Sequence, residues 1–404
     1  MSFDASPMAA AETVNLQFAR SVDGERWLAV TNLDDPSEIN ARVGDVVGAA
    51  GDVPRLVLAF GSSNISRSDL RESLNVALPD TEVIGCTTSG LVNSIPYDTG
   101  SIQLVALGGT GFEVETALAD YEAGCRAAGE MVGRAMPPGA ELNRTLMLLC
   151  DGLEGDVADL VRGAYSVCGA GVSIVGGCAG DDLAMEQTFQ FVDDRWLSGG
   201  VAAAGLTSTG PIGVGVAHGW ATLGEPMVVT GSDGTSILTL DDVPALDAYL
   251  SIVGGDRSFD SSADFARFAQ TRPLGLDGGI GQVRFVTGGD FERRSLDFLV
   301  HVPEGQLAWV MNGDRRSVIE ATTTSAKQAL AQLDGRPPLG VVAFDCVARR
   351  SVVGAETVAD EIEALKAPLP PGTPIGGFYT YGEIARTGGA LGLHHQTMVV
   401  VAFA

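Results

Sequence analysis

Three glycine-rich turns, each preceded by a short β-branched run, constrain the fold of this chain more than any other feature. They lie at residues 83–90, 174–182 and 374–384. The β-branched runs are typical of buried strands, and the glycines and small polar residues after them are typical of tight turns. Three such strand-to-turn segments in one chain predict an internally repeated architecture.

Each glycine-rich turn belongs to a longer repeated unit. A buried strand, a polar turn and a helical pattern precede it, and a further strand follows it. The leading strands are predicted at 56–60, 146–150 and 341–344. Alternation of strands with helices predicts an α/β fold. We therefore expect domains of β-sheet flanked by helices, with an internally repeated strand, helix, strand, glycine turn and strand unit.

The chain of 404 residues is long for one hydrophobic core and suits two domains. Its composition changes near Pro244, which can open a helix over 245–250. We predict a mobile tail over 1–24, a first domain over 25–238 and a second domain over 239–404. The first domain would contain two copies of the unit, and the second would contain one.

The charge and the apolar pattern limit the partners of this chain. The formal net charge is −26, which disfavours binding to nucleic acid or to anionic membrane surfaces. No uncharged apolar run approaches the ~20 residues of a membrane helix, and the first residues lack a secretory signal. The six cysteines form no CxxC pair, as expected of reduced packing cysteines. We expect a cytoplasmic protein without membrane insertion.

Polar residues follow several predicted strands, at the sheet edge where α/β proteins usually bind ligands. Near the third glycine turn, Tyr379, Tyr381 and Glu383 alternate along the chain and would share one face of a strand. Such a face suits a partly apolar ligand with a cationic or hydrogen-bonding group. The alternatives are helix capping by the aspartates and an aromatic face packed on a helix. The candidate ligand-binding residues are Asp151, Cys178, Asp181, Asp345, Cys346, Arg349, Gly376, Gly377, Phe378, Tyr379, Tyr381 and Glu383.

Enzyme signatures are absent from the sequence. It contains no GxxxxGK[ST], HExxH, GxSxG or CxxC motif, which favours a protein without catalytic activity. The alternative is a hydrolase with a cysteine or serine nucleophile in the cleft between the domains. Cys346 with His394 is the nucleophile and base pair to compare with the structure.

Several motifs, in their order along the chain, resemble those of the FIST proteins. They occupy residues 84–90, 175–182, 240–250, 344–349, 377–384 and 393–398. The resemblance implies a FIST N-type domain over 25–238 and a FIST C-type domain over 239–404. It further implies a bacterial sensory protein that binds a small ligand between its domains. Its partner would be a signalling protein, such as a histidine kinase of a two-component system or a cyclic-diguanylate enzyme. The oligomeric state stays open, a homo-oligomer included.

The resemblance extends to bacterial FIST proteins that bind haem and sense nitric oxide. A haem iron needs an axial ligand, commonly an imidazole. His394, beside the third glycine turn, is the first candidate, and His218 is the second. The alternative for both is an ordinary packed or capping histidine. Cys346 offers a thiolate in place of either.

Overall fold

The computed structural model describes residues 16–92, 101–139, 142–254, 259–276, 282–354, 358–386 and 392–404. Within these ranges the protein is a mixed α/β structure with four β-sheets, which confirms the predicted fold class. No helix in these ranges is long and apolar enough to cross a membrane.

The first unit contains two helices packed on a seven-stranded sheet. Its elements are β1 (Leu16–Arg20), β2 (Trp27–Leu33), α1 (Ile39–Ala50), β3 (Pro54–Ser62), α2 (Arg67–Ala77), β4 (Glu82–Thr88) and β5 (Ile102–Gly108). Strands β2, β5, β3 and β4 are adjacent in that order, and only β3 and β4 run parallel. Residues 16–20 of the predicted mobile tail instead form β1, which pairs with β2. Residues 1–15 of that tail lie outside the described ranges.

The second unit repeats this order. Its elements are β6 (Phe112–Asp120), α3 (Cys125–Val132), β7 (Asn143–Cys150), α4 (Val157–Cys168), β8 (Ser173–Cys178), β9 (Gln190–Val192), β10 (Arg195–Leu197) and β11 (Gly200–Ser208). Strands β6, β11, β7 and β8 are adjacent in that order, and β7 and β8 run parallel. Helix α4 starts where the Asp156 side chain accepts the N–H of Asp159, and it buries Leu160 and Ala164.

A β-rich insertion separates the first strand of the third unit from the rest of that unit. The first strand is β12 (Ile212–Ala217). The insertion comprises β13 (Ala221–Asp233), β14 (Ser236–Leu240), β15 (Val243–Pro244), α5 (Ala245–Val253), α6 (Ser262–Ala269), β16 (Leu274–Leu276), β17 (Gln282–Arg284), β18 (Val286–Asp290), β19 (Ser295–Phe298) and β20 (Leu307–Asn312). Its strands form an eight-stranded sheet around a hydrophobic core of its own.

The third unit resumes after the insertion. Its remaining elements are α7 (Arg315–Ala331), β21 (Gly340–Cys346), α8 (Val347–Val353), α9 (Val358–Lys366), β22 (Ile375–Thr380), β23 (Glu383–Arg386), β24 (Leu393–His394) and β25 (Met398–Phe403). Strands β12, β25, β21 and β22 are adjacent in that order. Since β12 lies in the first predicted domain and β25 in the second, one sheet crosses the predicted boundary at 238–239.

The three units exchange chain segments and close into a ring. The segment after β8 supplies β9, which pairs with β4 of the first unit. The segment after β22 supplies β23, which pairs with β8 of the second unit. The segment after β4 reaches the third unit, where Leu91 forms a β-bridge with Phe378 of β22. The inner faces of the three sheets share one core, in which the Phe378 ring lies 4.7 Å from Phe60 and 5.6 Å from Phe344.

Candidate functional site

A buried charge cluster joins two of the candidate ligand-binding residues. Asp345 ends β21, and Arg349 follows it on α8. The Arg349 Nε donates to Asp345 Oδ1 at 2.7 Å, and an Arg349 Nη donates to Glu361 Oε1 of α9 at 2.6 Å. All three side chains are at most 1% exposed. Glu361 shares a face of α9 with Val358 and Leu365, which lie three and four residues away, but its charge argues against an interior position.

The cluster holds two carboxylates against one guanidinium. Burial, reinforced by the nearby Glu361 carboxylate, raises the pKa of Asp345 well above its ordinary value. Burial likewise raises the pKa of the adjacent Cys346 thiol, which disfavours the thiolate that a nucleophile or a haem ligand needs. These residues lie inside the protein, so a ligand could reach them only if the surrounding helices opened.

Glu383 occupies a second buried position, at the start of β23. The Thr380 hydroxyl donates to Glu383 Oε1 at 2.6 Å, and the Thr397 hydroxyl and N–H donate to Oε2 at 2.8 and 3.1 Å. Burial raises the pKa of Glu383 to about 7, although these hydrogen bonds favour the charged form. Glu383 thus links Thr380, in the third glycine-rich segment, to Thr397, which immediately precedes β25.

The raised pKa of Glu383 predicts a pH-dependent stability. A carboxyl whose pKa is higher in the folded state stabilises the protein fully below its ordinary pKa, and this contribution is lost as the pH rises through about 7. Between about pH 5 and about pH 8, the unfolding free energy of the wild type should fall by roughly 3 kcal/mol relative to that of Glu383→Gln. Urea unfolding of both proteins across this range checks the difference. The exposed Glu292→Gln is the control, and parallel pH profiles for all three proteins would contradict the assignment.

Tyr381 and Asp181 meet where the three units join. The Tyr381 hydroxyl donates to Asp181 Oδ1 and accepts the N–H of Leu183 at 2.8 Å. The other Asp181 oxygen accepts the N–H groups of Glu186 and Gln187 at 2.7 and 3.0 Å. Burial alone would raise the pKa of Asp181, but these hydrogen bonds bring it below its ordinary value. The pair therefore holds the loop after β8 in place.

The remaining candidate residues lie in the interior of the sheets. Asp151 accepts the N–H groups of Leu153 and Glu154 at 2.8 and 2.9 Å, as expected of a turn-forming aspartate. The Cys178 sulfur lies 3.5 Å from that of Cys150 on the neighbouring strand. The others are buried along β22, and they are Gly376, Gly377, Phe378 and Tyr379.

An open cleft of about 850 Å³ lies between the third unit and the insertion. One wall comes from the end of β12 and from α7, and the other comes from β13, β16 and β20. Its lining is mostly apolar with a few polar groups, as in small-molecule sites. The lining residues are Val216, Ala217, His218, Gly219, Trp220, Ala221, Thr222, Gly275, Leu276, Trp309, Met311, Ser317, Glu320, Ala321, Thr324 and Gln328.

The buried charge cluster directly backs one wall of this cleft. Arg349 donates to the backbone oxygens of His218 at 3.5 Å and Val318 at 3.0 Å. Burial, together with the positive charge of Arg349, lowers the pKa of His218 to about 4, so its imidazole is neutral near pH 7. His218 was a candidate from the sequence, whereas Trp309, Glu320 and Thr324 were not. The Gly219-Trp220 turn, which follows His218 in the sequence, was the one short-range pattern that pointed to this part of the chain.

The surroundings of His218 and His394 do not fit a haem. A metal-bound histidine usually donates its second ring N–H to a neighbour, but His218 Nδ1 accepts the N–H of Trp220 at 2.9 Å. The proton of the neutral ring is therefore on Nε2, where iron would have to bind. His394 is only 7% exposed, and its Nε2 lies 2.9 Å from the Ala385 oxygen. Among the described residues, no group of three His, Cys, Asp or Glu side chains could hold another metal ion.

Comparison with known proteins identifies the family of the chain. Residues 55–243 match the FIST N domain, and residues 245–386 match the FIST C domain. The chain is a FIST protein. FIST domains are sensory domains that bind small ligands in signalling proteins. The two family matches meet inside the insertion of this FIST protein, at β15, although its third sheet combines strands from both matched domains.

Two mycobacterial proteins similar to this FIST protein are uncharacterized. An uncharacterized protein of Mycobacterium tuberculosis is 25% identical over 88% of this chain and 92% of its own length. An uncharacterized protein of Mycobacterium bovis is 28% identical over 58% of this chain and 61% of its own length. The solved cyanuric acid hydrolase from A. caulinodans aligns over 94% of this chain and 99% of its own, with 8% identity and a TM-score of 0.37. A similarity at that level says nothing about fold or activity here.

Proposed function

We propose that this FIST protein is a non-catalytic cytoplasmic sensor that binds a small ligand in the cleft between its third unit and its insertion. The observation that carries the proposal is the position of the cleft between the third unit and the insertion. Each of these has a core of its own, and they meet at a small hydrophobic cluster that includes Trp220, Met311 and Val318. A ligand that contacts both walls favours the conformation in which they are close, so its binding can change a surface seen by a partner. The partner would be a signalling protein such as a histidine kinase or a cyclic-diguanylate enzyme.

The proposed location differs from the one expected from the sequence. Asp345 and Arg349 lie behind the cleft wall instead of on it, and hydrogen bonds from Arg349 support that wall. The proposal does not include haem-based nitric oxide sensing, since the surroundings of His218 and His394 do not suit an axial ligand of a haem iron. The cysteine form of the hydrolase alternative would need an accessible thiol, and Cys346 is buried.

A bulky side chain in the cleft is expected to abolish ligand retention. Thr324 is exposed on α7 and lines the cleft, so Thr324→Trp should fill it without disturbing the core. Each protein would be incubated with a low-molecular-weight bacterial metabolite extract, desalted and denatured, and the released compounds identified by mass spectrometry. Ala331→Trp is the matched control, because Ala331 is exposed at the end of the same helix and outside the cleft. A compound retained equally by both variants would place the ligand site elsewhere, and retention of no compound by the wild type would contradict the sensor proposal.

A further inference from the structure

The charges along the cleft indicate which class of ligand it would take, an inference that rests on the proposed function placing the ligand there. Glu320 is the one formally charged side chain among the lining residues, which include no lysine or arginine. His218 is neutral near pH 7 because its pKa is lowered to about 4. The lining therefore has one negative charge and no positive charge to balance a ligand anion.

Two nearby arginines do not change the sign of this charge. Arg316 Nε donates to Glu320 Oε1 at 2.7 Å, but the two side chains are 86% and 62% exposed, and such surface pairs are weak. The Glu320 carboxylate can therefore exchange this partner for an ammonium group of a ligand. Arg349 lies behind the wall and is already paired with two carboxylates, Asp345 and Glu361.

The apolar part of the lining suits a ligand with a flat, aromatic ring. Trp220 and Trp309 both line the cleft, and the Trp220 ring is fixed because its Nε1 donates to the Gln396 oxygen at 3.1 Å. An indole face is the best aromatic partner for a cation. Gly219 lets this wall pack closely on α7, since an added Cβ would lie 2.3 Å from the Ser317 oxygen.

We propose that the cleft binds an organic cation, with a protonated amine beside Glu320 and an apolar, aromatic body between the walls. The acidic surface of the chain assists such a ligand, because a net charge of −26 raises the local concentration of cations. The neutral His218 contributes an Nε2–H donor, so the ligand can also carry a hydrogen-bond acceptor.

Three probes of matched size and different charge test this proposal by calorimetric titration. They are phenethylamine, phenethyl alcohol and phenylacetate, which are cationic, neutral and anionic at neutral pH. We expect the amine to bind roughly tenfold more tightly than the alcohol, and phenylacetate to bind more weakly than either. Glu320→Gln should reduce the affinity for the amine by roughly threefold to fivefold and leave that for the alcohol unchanged. Glu363→Gln, which removes an exposed charge on α9, should change neither affinity.

The cleft-filling variant separates failure of this inference from failure of the proposed function. If all three probes bind the wild type equally and Thr324→Trp abolishes their binding, the cleft is a ligand site but the cation preference is overturned. If the amine binds Thr324→Trp as tightly as the wild type, its site lies elsewhere and the proposed cleft is overturned for this ligand class. Absence of amine binding overturns the cation proposal alone, because the metabolite experiment tests the sensor proposal independently.

Discussion

Replacement of Arg349 by methionine is expected to destabilise the folded state by about 3–5 kcal/mol, since it leaves two buried carboxylates without their cation. Asp345 and Glu361 would have to stay in the interior unpaired or take up protons. Domains of ordinary stability unfold with only about 5–15 kcal/mol, so this loss is a large fraction of the total. The shift in the midpoint of urea unfolding, followed by circular dichroism, measures it.

Two further variants make this prediction specific to the buried cluster. Arg316→Met removes an exposed ion pair, and we expect it to leave the midpoint of urea unfolding nearly unchanged. The triple variant Arg349→Met, Asp345→Asn, Glu361→Gln removes all three charges together and should recover part of the stability. It also provides a measurable protein if Arg349→Met does not fold. Equal midpoints for Arg349→Met and Arg316→Met would show that the cluster contributes little to the fold.

The local patterns of the sequence were sufficient to predict the three units but not their connections. Apolar runs and glycine turns are set by neighbouring residues, and β3, β7 and β21 form where the leading strands were predicted. The pairing of β12 with β25 joins residues on opposite sides of a long insertion, and no short-range pattern specifies such a contact. The prediction assigned β12 to the first domain because β12 precedes the predicted boundary in the sequence.

The proximity of Asp345 and Arg349 was predictable from the sequence, but neither their burial nor the cleft was. Asp345 and Arg349 do come together at the end of a strand, as expected for turns at the carboxyl edge of a sheet. Helices α7 and α9 cover that edge of the sheet here. Each accepts a hydrogen bond from Arg349, α7 through the Val318 oxygen and α9 through the Glu361 carboxylate. The cleft forms on the other side of α7, where its wall depends on an insertion that the repeat pattern does not include.

One glycine within β4, one within β8 and one within β22 have a packing role common to all three units. At each of these positions an added Cβ would meet the backbone oxygen of the residue opposite on the parallel neighbouring strand. The pairs and their Cβ to oxygen distances are Gly85 and Ala59 at 2.2 Å, Gly176 and Leu148 at 1.9 Å, and Gly377 and Ala343 at 1.9 Å. Glycine is therefore required at these positions by the close approach of the adjacent strand.

Gly377→Ala is therefore expected to destabilise the protein by on the order of 3 kcal/mol or more. The new Cβ would overlap the Ala343 oxygen, and the φ of 142° at Gly377 is one that side chains rarely adopt. Strand β21 cannot move away easily, because it also pairs with β25 on its other side. Thermal and urea unfolding of the variant measure the loss.

Gly44→Ala is the matched control for this prediction, because Gly44 is exposed within α1 and an added Cβ would meet nothing within 4 Å. Alanine favours helix over glycine, so this variant should be more stable than the wild type by about 0.5–1 kcal/mol. The same glycine-to-alanine change thus has opposite signs at the two positions, and unfolding midpoints that shift in the same direction would contradict the packing role. If Gly377→Ala is well folded but binds the phenethylamine probe poorly, the glycine turn belongs to the ligand site after all, as the sequence first suggested.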